Sequence, residues 1–118
     1  VDDELVGTTA ESVVEVLDED GDLAALQIVL GDGSALLCTV WTDWSLRTDR
    51  RRDAALPDYL WPPEAYTRRP IAGAGRRIVS MRPETDEAGE PIGLEIEFEG
   101  GGLITARSVG GELCLATS

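Results

Sequence analysis

The sequence contains no lysine, no histidine and no asparagine, and Gln27 is its one glutamine. Without histidine, the commonest general base near neutral pH is missing. With only two cysteines besides, a zinc site of ordinary type is excluded. Aromatics are scarce too: three Trp, two Tyr and one Phe in 118 residues. No apolar run approaches the ~20 residues a helix needs to span a bilayer, so no membrane partner is expected. The opening VDDELVG has neither a basic region nor an apolar segment. No secretory signal is therefore expected, and the expected location is cytoplasmic. GxSxG, Walker and GxGxxG patterns are absent, and GAGRR at 73–77 precedes a strand-like run instead of opening a helix. The expectation is a protein that is not an enzyme and holds no cofactor or metal.

What is present is globular in composition, at 42% hydrophobic and 28% charged, and the length suits one domain over residues 1–118. All ten basic residues are Arg, as codon bias in a GC-rich bacterial genome would produce. The net charge of −13 is unevenly spread. Residues 1–43 carry eleven carboxylates and no base, 44–82 carry nine Arg against four acids, and 83–118 carry eight acids and one Arg. Such a surface repels phosphates, which disfavours nucleic acid and favours a basic protein partner.

Short apolar runs bounded by turn residues dominate both ends of the chain. Ser12–Leu17 (SVVEVL) stops at DEDGD, 18–22; Leu23–Leu30 (LAALQIVL) and Ser34–Trp41 (SALLCTVW) flank Gly-Asp-Gly at 31–33, a hairpin signal. A buried helix over 23–30 is the alternative, but a run of eight with Gly at one end favours strand. Trp44–Thr48 is a candidate fourth strand. Arg77–Met81 then leads through an acidic turn to Ile92–Glu99 (IGLEIEFE). There Ile92, Leu94, Ile96 and Phe98 alternate with Gly93, Glu95, Glu97 and Glu99. That period of two places apolar side chains on one face and carboxylates on the other. Leu103–Val109 and Glu112–Thr117 complete the series.

The halves align. Residues 26–48 match 94–117 with a shift of 68: Leu26 meets Leu94, Ile28 meets Ile96, Leu30 meets Phe98 and Gly33 meets Gly101. Upstream, VVEVLDEDGD matches IVSMRPETDEAGE with a small insertion. Either an internal duplication of 12–48 and 77–117 or convergence of short Gly-linked strands explains this. The expected fold is mainly β: two antiparallel meanders of seven to eight strands forming a sandwich or a partly open barrel. A Pro-, Arg- and aromatic-rich crossover at 49–75, with room for a short helix before Pro57, joins them. Cys38 and Cys114 lie in apolar runs and read as two buried free thiols, with a disulfide or metal pair as the rival. Asp18, Asp20 and Asp22 around Gly21 read as a solvated acidic turn, since no EF-hand frame fits them.

All three Trp and both Tyr, with four Arg, fall in residues 41–66. Structurally, Trp41 and Trp44 would cap the core at a strand end and Tyr59, Leu60 and Trp61 would plug an open edge. The segment's arginines would then pair with Glu95, Glu97 and Glu99. Functionally, Trp, Tyr and Arg are the residues enriched at binding hot spots. The candidate partner-binding residues are therefore Trp44, Arg50, Arg51, Tyr59 and Trp61, together with the strand carboxylates Glu95, Glu97 and Glu99.

The stretch 75–116 resembles a class of small bacterial β-rich domains of unknown function that has immunity-type members. The residues that carry the likeness are the Gly75–Val79 strand, Gly93–Phe98 in the pattern GLxIxF, the turn Gly100–Gly102 and the strand Leu103–Ser108. The resemblance implies a stand-alone binding protein and assigns no catalytic residue. Acidity and the compact all-β architecture together favour an immunity or antitoxin-like module that neutralises a basic partner. The rivals are a small-ligand or carbohydrate module using the Trp/Tyr cluster, and a self-associating structural protein whose edge strands pair two copies into a homodimer.

Overall fold

Each apolar run of the sequence becomes a strand in the computed structural model, which describes residues 6–41, 44–53, 60, 62–71 and 75–117. In chain order the strands are β1 (Thr9–Leu17), β2 (Leu23–Leu30), β3 (Ala35–Val40), β4 (Leu46–Arg51), β5 (Thr67–Pro70), β6 (Arg76–Thr85), β7 (Pro91–Phe98), β8 (Leu103–Val109) and β9 (Glu112–Thr117). All pairs are antiparallel, in the order β4-β3-β2-β1-β6-β7-β8-β9, with β5 beside β1. The sheet does not close, so the partly open form of the expected fold is the one adopted. Among the described residues, two ladder pairs join its four-stranded halves, Thr9 with Arg77 and Ala10 with Arg76. With so short a joint the sheet folds over. One core then takes Val13, Leu26, Ile28 and Leu36 from the first half and Ile78, Leu94, Ile96 and Phe98 from the second.

The halves repeat each other pair by pair. Val13 faces Ile28 as Met81 faces Ile96, and Leu26 faces Cys38 as Leu94 faces Ala106. The irregularities repeat as well: the register shifts between Ala10 and Ser12 and between Ile78 and Ser80, in each case at the same place in the unit. Across the joint, Gly7 donates to the Ile78 carbonyl at 2.7 Å and Gly75 to the Ala10 carbonyl at 2.6 Å, a reciprocal pair. The shift of 68 needs no insertion upstream, which corrects the alignment drawn from sequence. The one change of offset comes late. Five residues link Val40 to Leu46 while four link Ser108 to Leu113, so Leu46 and Leu113 are the matched core residues of β4 and β9.

The crossover differs from expectation at both ends. Asp49–Arg51 belong to β4, and Thr67–Pro70 form β5, a ninth strand. Pro70 is tolerated because the Ile71 amide, one residue on, donates to Val13 at 2.8 Å, which turns position 70 away from β1. The expected helical turn before Pro57 falls on residues outside those described, apart from 49–53; a single 3₁₀ turn is found later, at Pro63–Ala65.

That crossover has a packing role. On the outer face of the first half, Val16, Ala25 and Leu37 are buried beneath Leu60, with Tyr66 against them. The positions of the second half that match Val16, Ala25 and Leu37 are Glu84, Gly93 and Thr105. There Glu84 pairs with Arg107 at 2.9 Å and Arg82 pairs with Glu95, all at the surface. One architecture thus carries two coats: an apolar outer face that the crossover covers, and a charged one that meets water.

Candidate recognition site

The turn between β3 and β4 carries the site's central residue. Its hydrogen bonds run from the Trp41 amide to the Ser45 carbonyl at 3.0 Å and from the Trp44 amide to the Trp41 carbonyl at 2.8 Å. Ser45 and Leu46 are buried, anchoring the turn in the core. Trp44 itself is 63% exposed, at φ +67°, and is the one non-glycine residue at positive φ among those described. Left-handed backbone is costly for a bulky side chain, and such strain concentrates at functional positions. Its indole lies on Gly111 of the β8–β9 turn, where a Cβ would come within 2.9 Å of Nε1. Trp41, 41% exposed, donates from Nε1 to the Thr39 hydroxyl at 3.1 Å and has the Arg47 guanidinium 4.7 Å from its ring centroid. Val109, two residues before Gly111, is also exposed. Two turns from opposite halves therefore build one tip of exposed rings and a branched aliphatic.

This corrects the expectation that Trp41 and Trp44 cap the core; among the described residues, Phe98 is the ring that the main core contains. The other candidates scatter. Arg50 and Arg51 end β4, roughly 13 to 17 Å along the strand from Leu46 at ~3.3 Å per residue. Arg51 pairs with Asp49 at 3.2 Å. Arg50 lies near Asp32 in the β2–β3 turn, whose carboxyl is held below its ordinary value by the Ser34 hydroxyl and amide, with Arg50 adding to this. Tyr59 and Trp61 lie outside the described residues. Glu95 and Glu97 on β7, and Glu99 just after it, lie outside the core, as their alternation requires. Glu95 and Glu99 are paired not with the segment's arginines but with Arg82 and Arg77 of the adjacent β6, the latter at 3.0 Å. A carboxylate on β7 meets the strand hydrogen-bonded to it before it meets a distant loop. Among the described residues, Arg50, Arg51, Glu95 and Glu99 have their partners elsewhere than at Trp44, and the sequence reading did not select Val109, Arg47 and Gly111.

Two other groups are accounted for structurally. Asp18 Oδ1 accepts from the amides of Asp20 and Asp22 at 2.9 and 3.0 Å, and the three carboxylates converge. Asp86 Oδ1 makes the same bonds to Ala88 and Glu90, where position 88 has no carboxylate, so the turn geometry does not depend on a cation. Cys38 and Cys114 are free. Cys38 is buried as expected, and burial pushes its thiol up to about 12. Cys114 is exposed, because β9 ends the sheet and its alternate residues face outward.

No helix among the described residues is long and apolar enough to cross a membrane. No family model, no curated protein and no solved structure matches the chain, so the reading of the tip rests on its own residues.

Proposed function

We propose that this chain is a non-enzymatic protein-binding module that recognises a basic partner through the Trp41–Trp44–Val109 tip, with immunity-type neutralisation of a basic toxin as the specific form of that role. The observation that carries the reading is Trp44, a large ring kept in strained backbone and mostly in water, where it contributes little to the core. Exposed Trp beside Arg is the composition of interface hot spots. The net charge of −13 supports association with a positively charged protein and makes its rate salt-dependent. Resin-bound wild type and Trp44→Gly, exposed in parallel to lysate of the source cells and read by quantitative mass spectrometry, test this. Basic proteins retained by wild type, lost on Trp44→Gly and released by salt are the expected result. Equal retention by both baits removes the tip as the recognition surface.

A further inference from the structure

At the joint between the halves, an open cleft of about 660 Å³ is lined by Thr9, Gly75, Arg76, Arg77, Glu99 and Gly100. It stands apart from the tip: β8, seven residues and so roughly 23 Å long at ~3.3 Å per residue, separates the Gly100–Gly102 turn from the Gly111 turn. Glu99 pairs with Arg77 at 3.0 Å. Arg76 is exposed, and its side chain has no hydrogen-bond or ion-pair partner among the described residues. Its guanidinium lies over the β7–β8 turn, with Nη1 3.7 Å from where a Cβ on Gly100 would stand and 3.2 Å from one on Gly102. The amides of Gly100 and Gly102 likewise have no acceptor among the described residues.

The first half shows what such a turn holds. Under the shift of 68, Asp32 stands at the place of Gly100, Ser34 at that of Gly102 and Thr8 at that of Arg76. Both turns close through the same two bonds. Leu30 donates to the Ser34 carbonyl at 2.8 Å and Gly33 to the Leu30 carbonyl at 3.0 Å; Phe98 donates to Gly102 at 2.7 Å and Gly101 to Phe98 at 3.1 Å. In the first turn Asp32 Oδ1 accepts from the Ser34 amide at 2.9 Å and from its hydroxyl, with Arg50 nearby. In the second, Gly100 takes φ +93°, which side chains rarely adopt, so this turn is unsuited to an aspartate of its own. It keeps the amide of the first turn and adds a guanidinium. We propose that this corner of Arg76, Gly100 and Gly102 is a binding site for a carboxylate group carried by a peptide. The guanidinium fork gives such a group charge-assisted contacts, and the turn amides serve its remaining lone pairs. A single negative charge suits the site better than the double charge of a phosphate, because Glu99 is in the lining and the chain carries −13. The site goes beyond the recognition reading, since it takes the opposite charge at a different place.

Titrating the ¹⁵N-labelled chain at low salt with acetyl-Gly-Asp-Gly-amide, with acetyl-Gly-Gly-Gly bearing a free carboxyl end, and with inorganic phosphate tests this. Amide shifts should concentrate at Arg76, Gly100, Gly101 and Gly102 with both peptides. Acetyl-Gly-Asn-Gly-amide, which lacks the charge, should not produce them. Arg76→Gln should weaken binding about fivefold or more. Arg107→Gln, which removes the same charge at an exposed arginine elsewhere, should leave affinity unchanged. Tighter binding of the aspartate peptide identifies an acidic side chain as the source; tighter binding of the other identifies a chain terminus, with the chemistry of the site unchanged. Shifts spread over the arginines, unchanged affinity in Arg76→Gln, an equal loss in Arg107→Gln, or tighter binding of phosphate than of either peptide overturn the proposal.

Discussion

Asp86 does at the β6–β7 turn what Asp18 does at the β1–β2 turn: each carboxylate accepts from the amides two and four residues on, at 2.9 and 3.0 Å, and each pair of turn ends closes through a backbone bond to the fourth residue. Gly21 and Gly89 both take φ +82° to complete the turn. Each aspartate pre-sets a hairpin by occupying amides that the strands do not use. Asp18→Ala and Asp86→Ala should therefore each cost about 1 kcal/mol, by similar amounts, in urea unfolding. Asp20→Ala should cost almost nothing, since its carboxylate has no such bonds among those described. A large cost at Asp20 alone would point to a cation-dependent loop instead.

Val16 and Glu84 hold the same place in the two halves, one buried under Leu60 and the other at the surface with Arg107. If the crossover is a cover for the first half, Leu60→Ala and Val16→Ala should each destabilise by about 2 kcal/mol. Glu84→Ala should cost under about 1 kcal/mol, as exposed ion pairs do. Equal effects at positions 16 and 84 in chemical denaturation would contradict the two-coat description.

Pro83 stands where Glu15 stands in the first half. Glu15 faces β5 in the ladder and pairs with Arg69 at 2.9 Å. Among the described residues, no strand lies along the matching edge of β6 at Arg82–Thr85. Proline presents no donor there, which blunts an open edge against pairing with another chain. Pro83→Thr restores the donor. It should raise the self-associated fraction in sedimentation at high protein concentration, whereas an unchanged monomer fraction would show that the edge needs no such guard.

Most of the strands were legible in the sequence because their side chains alternate or run continuously apolar. Ile92–Glu99 shows a period of two since one face meets the core and the other meets water. Leu23–Leu30 lacks that period for a physical reason: Leu26 and Ile28 face the main core while Ala25 lies under the crossover, so both faces are dry. Strand β5, reading TRRP, carries no apolar signal and owes its existence to the free edge of β1. The repeat was legible through Leu26, Ile28 and Gly33. Its upstream part was misaligned because VVEVL and MRPET differ in chemistry, one lying on a covered outer face and the other on a face that meets water. The exposure of Trp41 and Trp44 was not legible, since composition does not say which rings face water.

The two thiols should separate cleanly. Under native conditions a thiol reagent should label Cys114 at once and Cys38 only on unfolding. For Cys38 the folded value, about 12, lies above the ordinary 9.0. Its contribution to stability is thus complete below pH 9 and is lost as pH rises from about 9 toward 12, at up to about 1.4 kcal/mol per pH unit. Cys38→Val should flatten that alkaline loss in urea titrations run at pH 8 and pH 10. An identical slope in the variant would assign the loss to other groups.

The central claim is that Trp44 is kept for recognition and not for the fold. Urea unfolding of Trp44→Gly against wild type tests it most directly, because glycine accepts φ +67° without strain and removes a ring that is 63% exposed. The account predicts a variant as stable as wild type or more stable by up to about 1 kcal/mol. A loss of 2 kcal/mol or more would show that the ring holds the two halves together, and would contradict it.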